Sequence, residues 1–484
     1  MFVTDEFASS LYSEIINNWS VEALKENPAY FYNVNEVNQI LNGKKSIVIG
    51  RKGSGKTSIA KYLCGIEKAN VFTQKMSFKN FPFNILYSLD NKKDYTNPNQ
   101  YISIWKLLIY TCVCKLMITN EGIDNEIRNK LRTLYGDESE ESLDRLLEKW
   151  TSKEFGIEVL GIGFNIGGSK DKTETSWIEQ ISILESIILT YCDKSCYYIV
   201  FDELDEDYKT FQTEQEENDY FSMVTSLIKA TEDIRNTFDN DDRQKCIYPV
   251  VFLRSDIYSR VKHSDKNKWR EELIELAWDR IEIQKMLAHR LSVAMNYPND
   301  LPFDKAWLKL FASAPVKMGN RQQRSLPIYD YIERSTEMRP RDFIQYIKEA
   351  CILADRVNEY PIAPSTIKDA DESFSDYLRG ETVDELFAIL PDVESVLGLL
   401  STIRKQSFSF SEFENAYNQA IKNGDIPKGD VKKTLLLLFD AGVIGNRPSM
   451  KNHPIFKFSH NSPRFNFTET MIIHRGLYKA LQIY

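Results

Sequence analysis

Glycines, a lysine and a threonine are spaced over residues 50–57 in the order that phosphate binding requires. The segment fits the pattern G-x-x-x-x-G-K-[ST], in which glycines let backbone N–H groups turn towards an anion. Lys56 would reach the β- and γ-phosphates of a nucleoside triphosphate, and the hydroxyl of Thr57 would bind Mg²⁺. The residues expected to hold the phosphates are Gly50, Arg51, Lys52, Gly53, Ser54, Gly55, Lys56, Thr57 and Ser58. The spacing predicts a phosphate site but does not say what the nucleotide is used for.

Two adjacent carboxylates, Asp202 and Glu203, follow an apolar run that begins at Cys196. A strand ending in carboxylates downstream of a phosphate-binding loop is the Walker B pattern, which predicts that Asp202 holds Mg²⁺ directly or through water. Glu203 would then orient and activate the attacking water. The adjacent pair favours ATP hydrolysis over GTPase or kinase use. The predicted cofactors are therefore ATP and Mg²⁺.

Three arginines stand where they could sense the nucleotide. Arg254 ends a predicted strand, Tyr248–Leu253, and at the end of a buried strand it could contact the γ-phosphate. An ion pair with Asp256 is the alternative. Arg339 and Arg341 lie at the start of an amphipathic helix, which fits a lid helix that points a cation at the nucleotide. Surface arginines at an ordinary helix start are the alternative there.

The elements that must position these residues mix buried strands with amphipathic helices, so the predicted fold class is α/β. The predicted divisions are an N-terminal helical extension at 1–42, an ATPase domain at 43–295 with an insertion at about 77–175, a helical lid at 296–375 and a winged-helix-like domain at 376–484. Further predictions are a strand at 70–73, a hairpin at 155–168, a connector at 361–374, helices at 381–400, 411–423 and 429–441, and a returning strand at 455–460.

Composition excludes several classes of protein. Apolar content of 42% and charged content of 27% are ordinary for a globular protein. The longest apolar run, 104–118, is interrupted by Lys106 and Lys115, so a buried helix is predicted and no membrane span. The N-terminus lacks the basic and apolar regions of a secretory signal. Seven scattered cysteines without zinc-site spacing predict buried free thiols in a reducing cytoplasm, which is the predicted location.

Charge is distributed unevenly along the chain. The net charge is −9, yet residues 401–484 hold 12 lysines and arginines against 6 aspartates and glutamates. Such asymmetry allows a DNA contact through residues 401–484, while solvated surface charge is the plainer interpretation. The predicted third helix of this region is rich in leucine, which favours a structural or partner-binding role over base reading.

These motifs together resemble the additional-strand P-loop ATPases, and within them the bacterial branch related to STAND switch ATPases and to the origin-recognition AAA+ group. The resemblance implies a P-loop NTPase with a parallel sheet in the order 5-1-4-3-2, followed by a helical lid and a winged helix. It implies a sensor-1 role for Arg254 and a sensor-2 role for Arg339 or Arg341. It also implies ATP-controlled homo-oligomerisation, with Arg260, Lys268 and Arg270 as candidate arginine fingers, and often a separate effector in anti-phage defence.

Two functions remain open at this point. The first is an ATP-hydrolysing molecular switch that oligomerises and regulates a partner or effector protein. The second is a DNA-acting AAA+-like ATPase, a loader or remodeller, that uses the basic C-terminal region. A nucleotide-binding scaffold that barely hydrolyses is disfavoured by the Asp202–Glu203 pair.

Overall fold

The fold was analysed in a computed structural model of the protein. The structure describes residues 2–22, 27–77, 100–135, 177–205, 208, 213–239, 246–319, 322–448, 453–459 and 463–483. The chain divides into two compact units. The first consists of Met1–Tyr32, Lys52–Gly55 and Ala277–Tyr484, and the second of Asn33–Arg51 and Lys56–Leu276.

The first helix of the chain belongs to the first unit. It is α1 (Phe2–Asn18), and it buries the stripe that includes Leu11, Tyr12 and Ile15. This stripe packs against the later helices of the same unit, where the hydroxyl of Tyr12 donates to the carbonyl of Glu359 at 2.7 Å. The helix predicted here is therefore present.

The second unit is built on a parallel sheet, to which the described residues contribute five strands. These are β1 (Ile47–Gly50), β2 (Val71–Ser77), β3 (Cys196–Asp202), β4 (Cys246–Arg254) and β5 (Leu273–Leu276). Their order is β2-β3-β4-β1-β5, which is the predicted order 5-1-4-3-2 read from the other edge. The additional strand β4 therefore separates the strand before the glycine-rich loop from the strand before the two carboxylates. The α/β P-loop NTPase fold is confirmed.

Helices cover this sheet because its central strands are almost wholly buried and need apolar cover on both faces. The helices of the second unit are α2 (Asn35–Leu41), α3 (Lys56–Cys64), α4 (Gln100–Thr119), α5 (Asn125–Tyr135), α6 (Trp177–Tyr191), α7 (Glu214–Asp239) and α8 (Ser255–Arg260). The helix α4 lies in the predicted insertion, yet it packs against β3 and α7, where the indole of Trp105 donates to the carbonyl of Met223 at 3.1 Å. The hairpin predicted at 155–168 lies outside the described residues.

The apolar run predicted to form a buried helix is α4. Among the described residues, Tyr101–Thr119 is long and apolar enough to cross a membrane by length and composition, and 72% of its apolar window is buried inside the protein. Buried core helices pass the same test.

The rest of the first unit is mainly helical and shares one apolar core with α1. Its elements before residue 390 are α9 (Arg280–Ala294), α10 (Phe303–Leu310), β6 (Val316–Met318), β7 (Arg324–Leu326), α11 (Ile328–Glu333), α12 (Pro340–Arg356) and α13 (Pro364–Leu386). The connector predicted at 361–374 is wrong, because Pro364 occupies the first turn of α13, where its missing N–H costs nothing. The helix α13 continues past residue 375, which was the predicted division between lid and C-terminal domain.

The last elements form three helices and a small antiparallel sheet. They are α14 (Val393–Ile403), β8 (Ser407–Phe408), α15 (Phe410–Asn423), α16 (Val431–Asp440), β9 (Ile444–Arg447) and β10 (Thr470–Ile473). Within the described part of the chain the sheet order is β8-β10-β9. The helices predicted at 411–423 and 429–441 are confirmed, whereas the helix predicted at 381–400 is two separate segments, the end of α13 and α14. The winged-helix assignment stays a prediction.

The returning strand predicted at 455–460 is wrong. Ile455 forms a single bridge to Asn446, and Lys457–Ser459 is a 3₁₀ turn. The partner of β9 is β10 instead, because Met471 and Ile473 on one face of β10 are buried there. The alternation of apolar and polar residues identified a segment that forms one bridge to β9, but it did not identify β10, the strand that pairs with β9.

Candidate functional site

The glycine-rich loop has the predicted strand–loop–helix context. It follows β1 directly and ends at the first residue of α3, Lys56. Gly53 and Gly55 have φ angles of 79° and 98°, which side-chain-bearing residues rarely adopt. A Cβ atom on Gly55 would meet no atom of the described residues within 4 Å. The backbone is therefore shaped as an anion-binding turn at a helix N-terminus.

The side chain of Lys56 contacts the backbone at the start of its own loop. Its ammonium donates to the carbonyls of Gly50 at 2.9 Å and of Arg51 at 3.1 Å. Burial lowers the pKa of Lys56 from its ordinary value, and Asp205 and Asp202 act in the opposite direction. A charge held in a poorly solvated place interacts strongly with an approaching anion.

The side chains of β2 hold both predicted Walker B carboxylates. Asp202 is only 2% exposed, and its Oδ2 lies 3.1 Å from Nζ of Lys75. Burial raises the pKa of Asp202, and the Lys75 ammonium offsets this in part. Glu203 accepts a hydrogen bond from the hydroxyl of Ser77, the residue in register with Asp202. Sequence reasoning missed Lys75 and Ser77 because it ended this strand at residue 73.

The backbone at Glu203 adopts an unusual conformation. Its φ angle is 63°, in the left-handed region that non-glycine residues avoid. Such strain persists only where the surrounding structure fixes it, and it is concentrated at functional sites. The residue in this conformation directly follows the end of β3 and is the predicted base.

Arg254 lies beside the start of the glycine-rich loop, because it is the register partner of Gly50. Its guanidinium makes two hydrogen bonds to Asp256, at 3.1 and 2.8 Å, and lies 3.6 Å from Asp205. Both sequence-based interpretations of this residue therefore describe part of the observed geometry. It stands at the expected strand end, and it is paired with a carboxylate.

In the first unit, side chains hold the loop residues Lys52–Gly55 from outside the loop. Nη1 of Arg339 donates to the carbonyl of Lys52 at 3.3 Å, and Nε1 of Trp278 donates to the carbonyl of Ser54 at 2.8 Å. In a trans peptide the carbonyl points opposite to the following N–H. The two donors therefore turn the N–H groups of Gly53 and Gly55 away from themselves.

Arg339 and Arg341 each form ion pairs with carboxylates. Arg339 is 4% exposed and pairs with Asp342 at 2.9 Å and Glu337 at 3.5 Å. Arg341 pairs with Glu381 at 2.8 Å, and Lys52 lies 3.6 Å from the same carboxylate. Burial alone would raise the pKa of Glu381, but Arg341 and Lys52 lower it below its ordinary value.

Of these two arginines, Arg341 is the closer to Gly53 of the loop. A Cβ atom added to Gly53 would lie 3.2 Å from the Cβ and Cδ atoms of Arg341. Arg339 instead donates hydrogen bonds to the carbonyl of Lys52 and to the buried carboxylate of Asp342. Arg339 therefore contacts the loop backbone directly, whereas the side chain of Arg341 lies beside Gly53.

The residues present fit a magnesium nucleotide. The hydroxyl of Ser54 is buried and has no hydrogen-bond partner among the described residues. Asp202 and Thr57 supply oxygen donors, which Mg²⁺ prefers. Among the described residues no three His, Cys, Asp or Glu side chains could hold a metal ion together, so the phosphates would provide the remaining ligands.

The indole N–H of Trp278 provides a direct test of how the loop is held. Trp278→Phe keeps an aromatic side chain but removes the donor to Ser54, and we expect MgATP affinity to fall about two- to tenfold, the effect of one hydrogen bond. Trp269→Phe is the matched control, because its indole donates to Glu232 instead. Calorimetry on both variants measures the effect. Equal affinities of Trp278→Phe and the unaltered protein would show that the loop does not depend on this donor.

Comparison with known proteins adds one family match and several structures. Residues 281–381 match the model described as the FunZ-associated C-terminal helical domain. A search of curated proteins found no significant match.

Three solved structures align along most of the chain. The Aeropyrum pernix ORC2 protein in ADPNP–ADP complexes is 12% identical, with 91% of this chain and 87% of that chain covered and a TM-score of 0.41. Cdc6p from Pyrobaculum aerophilum is 13% identical, with 92% and 91% covered and a TM-score of 0.30. Drosophila ORC bound to DNA is 9% identical, with 93% and 84% covered and a TM-score of 0.27. Similarity at this level does not extend to what this chain binds or does.

Proposed function

We propose that this protein binds ATP with Mg²⁺, hydrolyses it, and uses the nucleotide state to control its assembly and its contact with a partner protein. The observation that carries the proposal is the order of the sheet. It brings Lys56, Glu203 and Arg254 to the carboxyl ends of strands β1, β3 and β4, which are consecutive in space. Ligands of open α/β sheets bind outside the carboxyl ends of the strands.

The chain's own groups can carry the steps of hydrolysis. Lys56 binds the β- and γ-phosphates, and the loop N–H groups orient the triphosphate. The carboxylate of Glu203 accepts a proton from the attacking water, and the guanidinium of Arg254 stabilises negative charge on the γ-phosphate. Mg²⁺, when bound through Thr57 and Asp202, would supply neutralisation of the phosphate charge.

Paired arginines support a switch rather than a constitutive hydrolase. Arg254 and Arg341 each bind carboxylates in this structure, namely Asp256 and Glu381. A triphosphate would compete with these acids for the same guanidinium groups, because phosphate and carboxylate both offer a pair of anionic oxygens that a guanidinium can bind. Two sets of partners for one cation give two states, and a ligand that favours one of them shifts the population.

Arg254→Ala is expected to uncouple assembly from the nucleotide. For the unaltered protein we expect the mass measured by size exclusion with light scattering to differ between ADP and a non-hydrolysable ATP analogue. The variant should bind nucleotide but show the same mass in both, because Arg254 is the proposed reporter of the γ-phosphate. Arg356→Ala, at the exposed end of α12, should behave as the unaltered protein. A nucleotide-dependent mass change that survives in Arg254→Ala would contradict this role.

The alternative is a DNA-acting ATPase, and one observation favours it. Lys432 and Lys433 are exposed at the start of α16, and Arg447 is exposed at the end of β9, while Leu435 and Leu438 of α16 are buried. Lys451 lies outside the described residues. A constant mass, together with strong DNA stimulation of hydrolysis that is lost on neutralising these four residues, would favour this function over the switch.

The nucleotide base needs its own test. Asn91–Asp94 matches the Asn-Lys-x-Asp pattern that reads guanine in GTPases, and it lies outside the described residues. It precedes Asp202 in the chain, and the adjacent Asp202–Glu203 pair favours ATP. Competition of GTP against labelled ATP decides the base preference.

Defence against phage with a separate effector is the biological setting that we propose from the family resemblance alone.

A further inference from the structure

Two cysteines stand side by side at the amino ends of β3 and β4. Cys196 and Cys246 are register partners on these neighbouring parallel strands. Neighbouring strands lie about 4.8 Å apart, and paired residues on them point to the same face. Disulfide bonds join Cα atoms roughly 4.4–6.8 Å apart, so the spacing of neighbouring strands falls within the range that a disulfide spans.

The contact between the two thiols shifts their pKa values in opposite directions. A hydrogen bond from Cys196 lowers the pKa of the Cys246 thiol, and the same contact raises the pKa of Cys196. Burial and Asp239 oppose the first effect. Both cysteines are partly exposed, whereas Cys112 and Cys114 are buried and burial raises the pKa of each. A thiolate that solvent can reach, held against a resolving thiol, is the arrangement that oxidants select.

We propose that Cys196 and Cys246 are a reversible oxidation site that closes to an intramolecular disulfide when a hydroperoxide is the oxidant. The Cys246 thiolate attacks the peroxide oxygen, the O–O bond breaks, and the alkoxide or hydroxide that leaves takes up a proton. The sulfenic acid on Cys246 is then attacked by the sulfur of Cys196, the S–S bond forms, and water leaves. Two thiols and one hydroperoxide give one disulfide, one alcohol or water, and one further water. A dithiol reductant reverses the bond by exchange.

A metal site is the competing use of two adjacent thiols. Zinc sites need four ligands or three with water, and among the described residues no group of three metal-binding side chains occurs here or elsewhere. The inference does not depend on the proposed ATPase. The two cysteines lie at the strand ends remote from Asp202 and Arg254, at the opposite ends of the same two strands.

The test is peptide mapping of the full chain after treatment with hydrogen peroxide, with free thiols then blocked by an alkylating agent. We expect the count of free thiols to fall by two from the seven in the chain. We also expect a cross-linked peptide that joins Cys196 to Cys246, and restoration of both thiols by dithiothreitol. No loss of thiols under conditions that oxidise a simple dithiol, or cross-links that involve other cysteines, would overturn the proposal.

Single variants assign the two roles. Cys196→Ser should stop at the sulfenic acid, which dimedone labels on Cys246, and Cys246→Ser should give neither label nor cross-link. Cys64→Ser is the matched control, because Cys64 is also partly exposed but has no place in this pair, and it should oxidise as the unaltered protein does. Dimedone labelling at Cys64 in place of Cys246 would contradict the assignment. The result on the unaltered protein stands even if a variant fails to fold.

Discussion

Lys56→Ala is expected to weaken the binding of MgATP at least about tenfold, or about 1.4 kcal/mol. Lys56 carries a positive charge that burial has already stripped of part of its solvent, so a phosphate contact there is strong. The same ammonium also donates to the carbonyls of Gly50 and Arg51, so its removal loosens the loop as well. Isothermal calorimetry with MgATP measures the change directly.

Two further variants make the result specific. Lys56→Met keeps the length of the side chain without its charge, and it should lose as much affinity as Lys56→Ala if charge is the cause. Lys68→Ala removes an exposed lysine after α3 and should bind as the unaltered protein does. Unchanged MgATP affinity in both Lys56 variants would remove the basis for a triphosphate site on this loop.

Glu203→Gln is expected to lower turnover by about 10² or more while MgATP binding persists. The amide keeps the shape of the side chain and can still contact Ser77, but it cannot accept a proton from water. Because chemistry and binding should separate, phosphate release and calorimetry are measured on the same preparation. Phosphate release equal to that of the unaltered protein would mean that Glu203 is not the base.

The neighbouring acids supply the controls for Glu203. Glu214→Gln changes an exposed acid at the start of α7 and should leave turnover unchanged. Asp202→Ala should differ from Glu203→Gln in kind, because the loss of a buried oxygen ligand removes the dependence on Mg²⁺ rather than the proton transfer. A titration of Mg²⁺ against turnover distinguishes the two variants.

Short-range patterns in the sequence predicted the reactive loop and much of the sheet. The loop spacing acts directly on the backbone, so Gly53 and Gly55 have the conformations that their residue type allows. Central strands such as β3 and β4 can be recognised in the sequence as continuous apolar runs, because both of their faces are buried. The sheet order came from the resemblance that these motifs carry.

Edge and boundary elements were predicted less well, for a physical reason. The edge strand β2 is mostly half-buried, so its apolar pattern ends before the strand does. The predicted strand therefore stopped at residue 73 and did not include Lys75 and Ser77. A proline can end one helix or occupy the first turn of the next, and the local sequence around Pro364 does not distinguish the two cases.

The sequence by itself determined which groups could bind a triphosphate, since one contiguous loop and one adjacent acid pair carry that chemistry. Only the tertiary structure decided which partners hold those groups. Glu381 pairs with both Lys52 and Arg341, and Cys196 meets Cys246, although these residues are far apart in the chain. Their meeting depends on strand register and helix packing, which are set by apolar burial across the whole unit and not by spacing along the sequence.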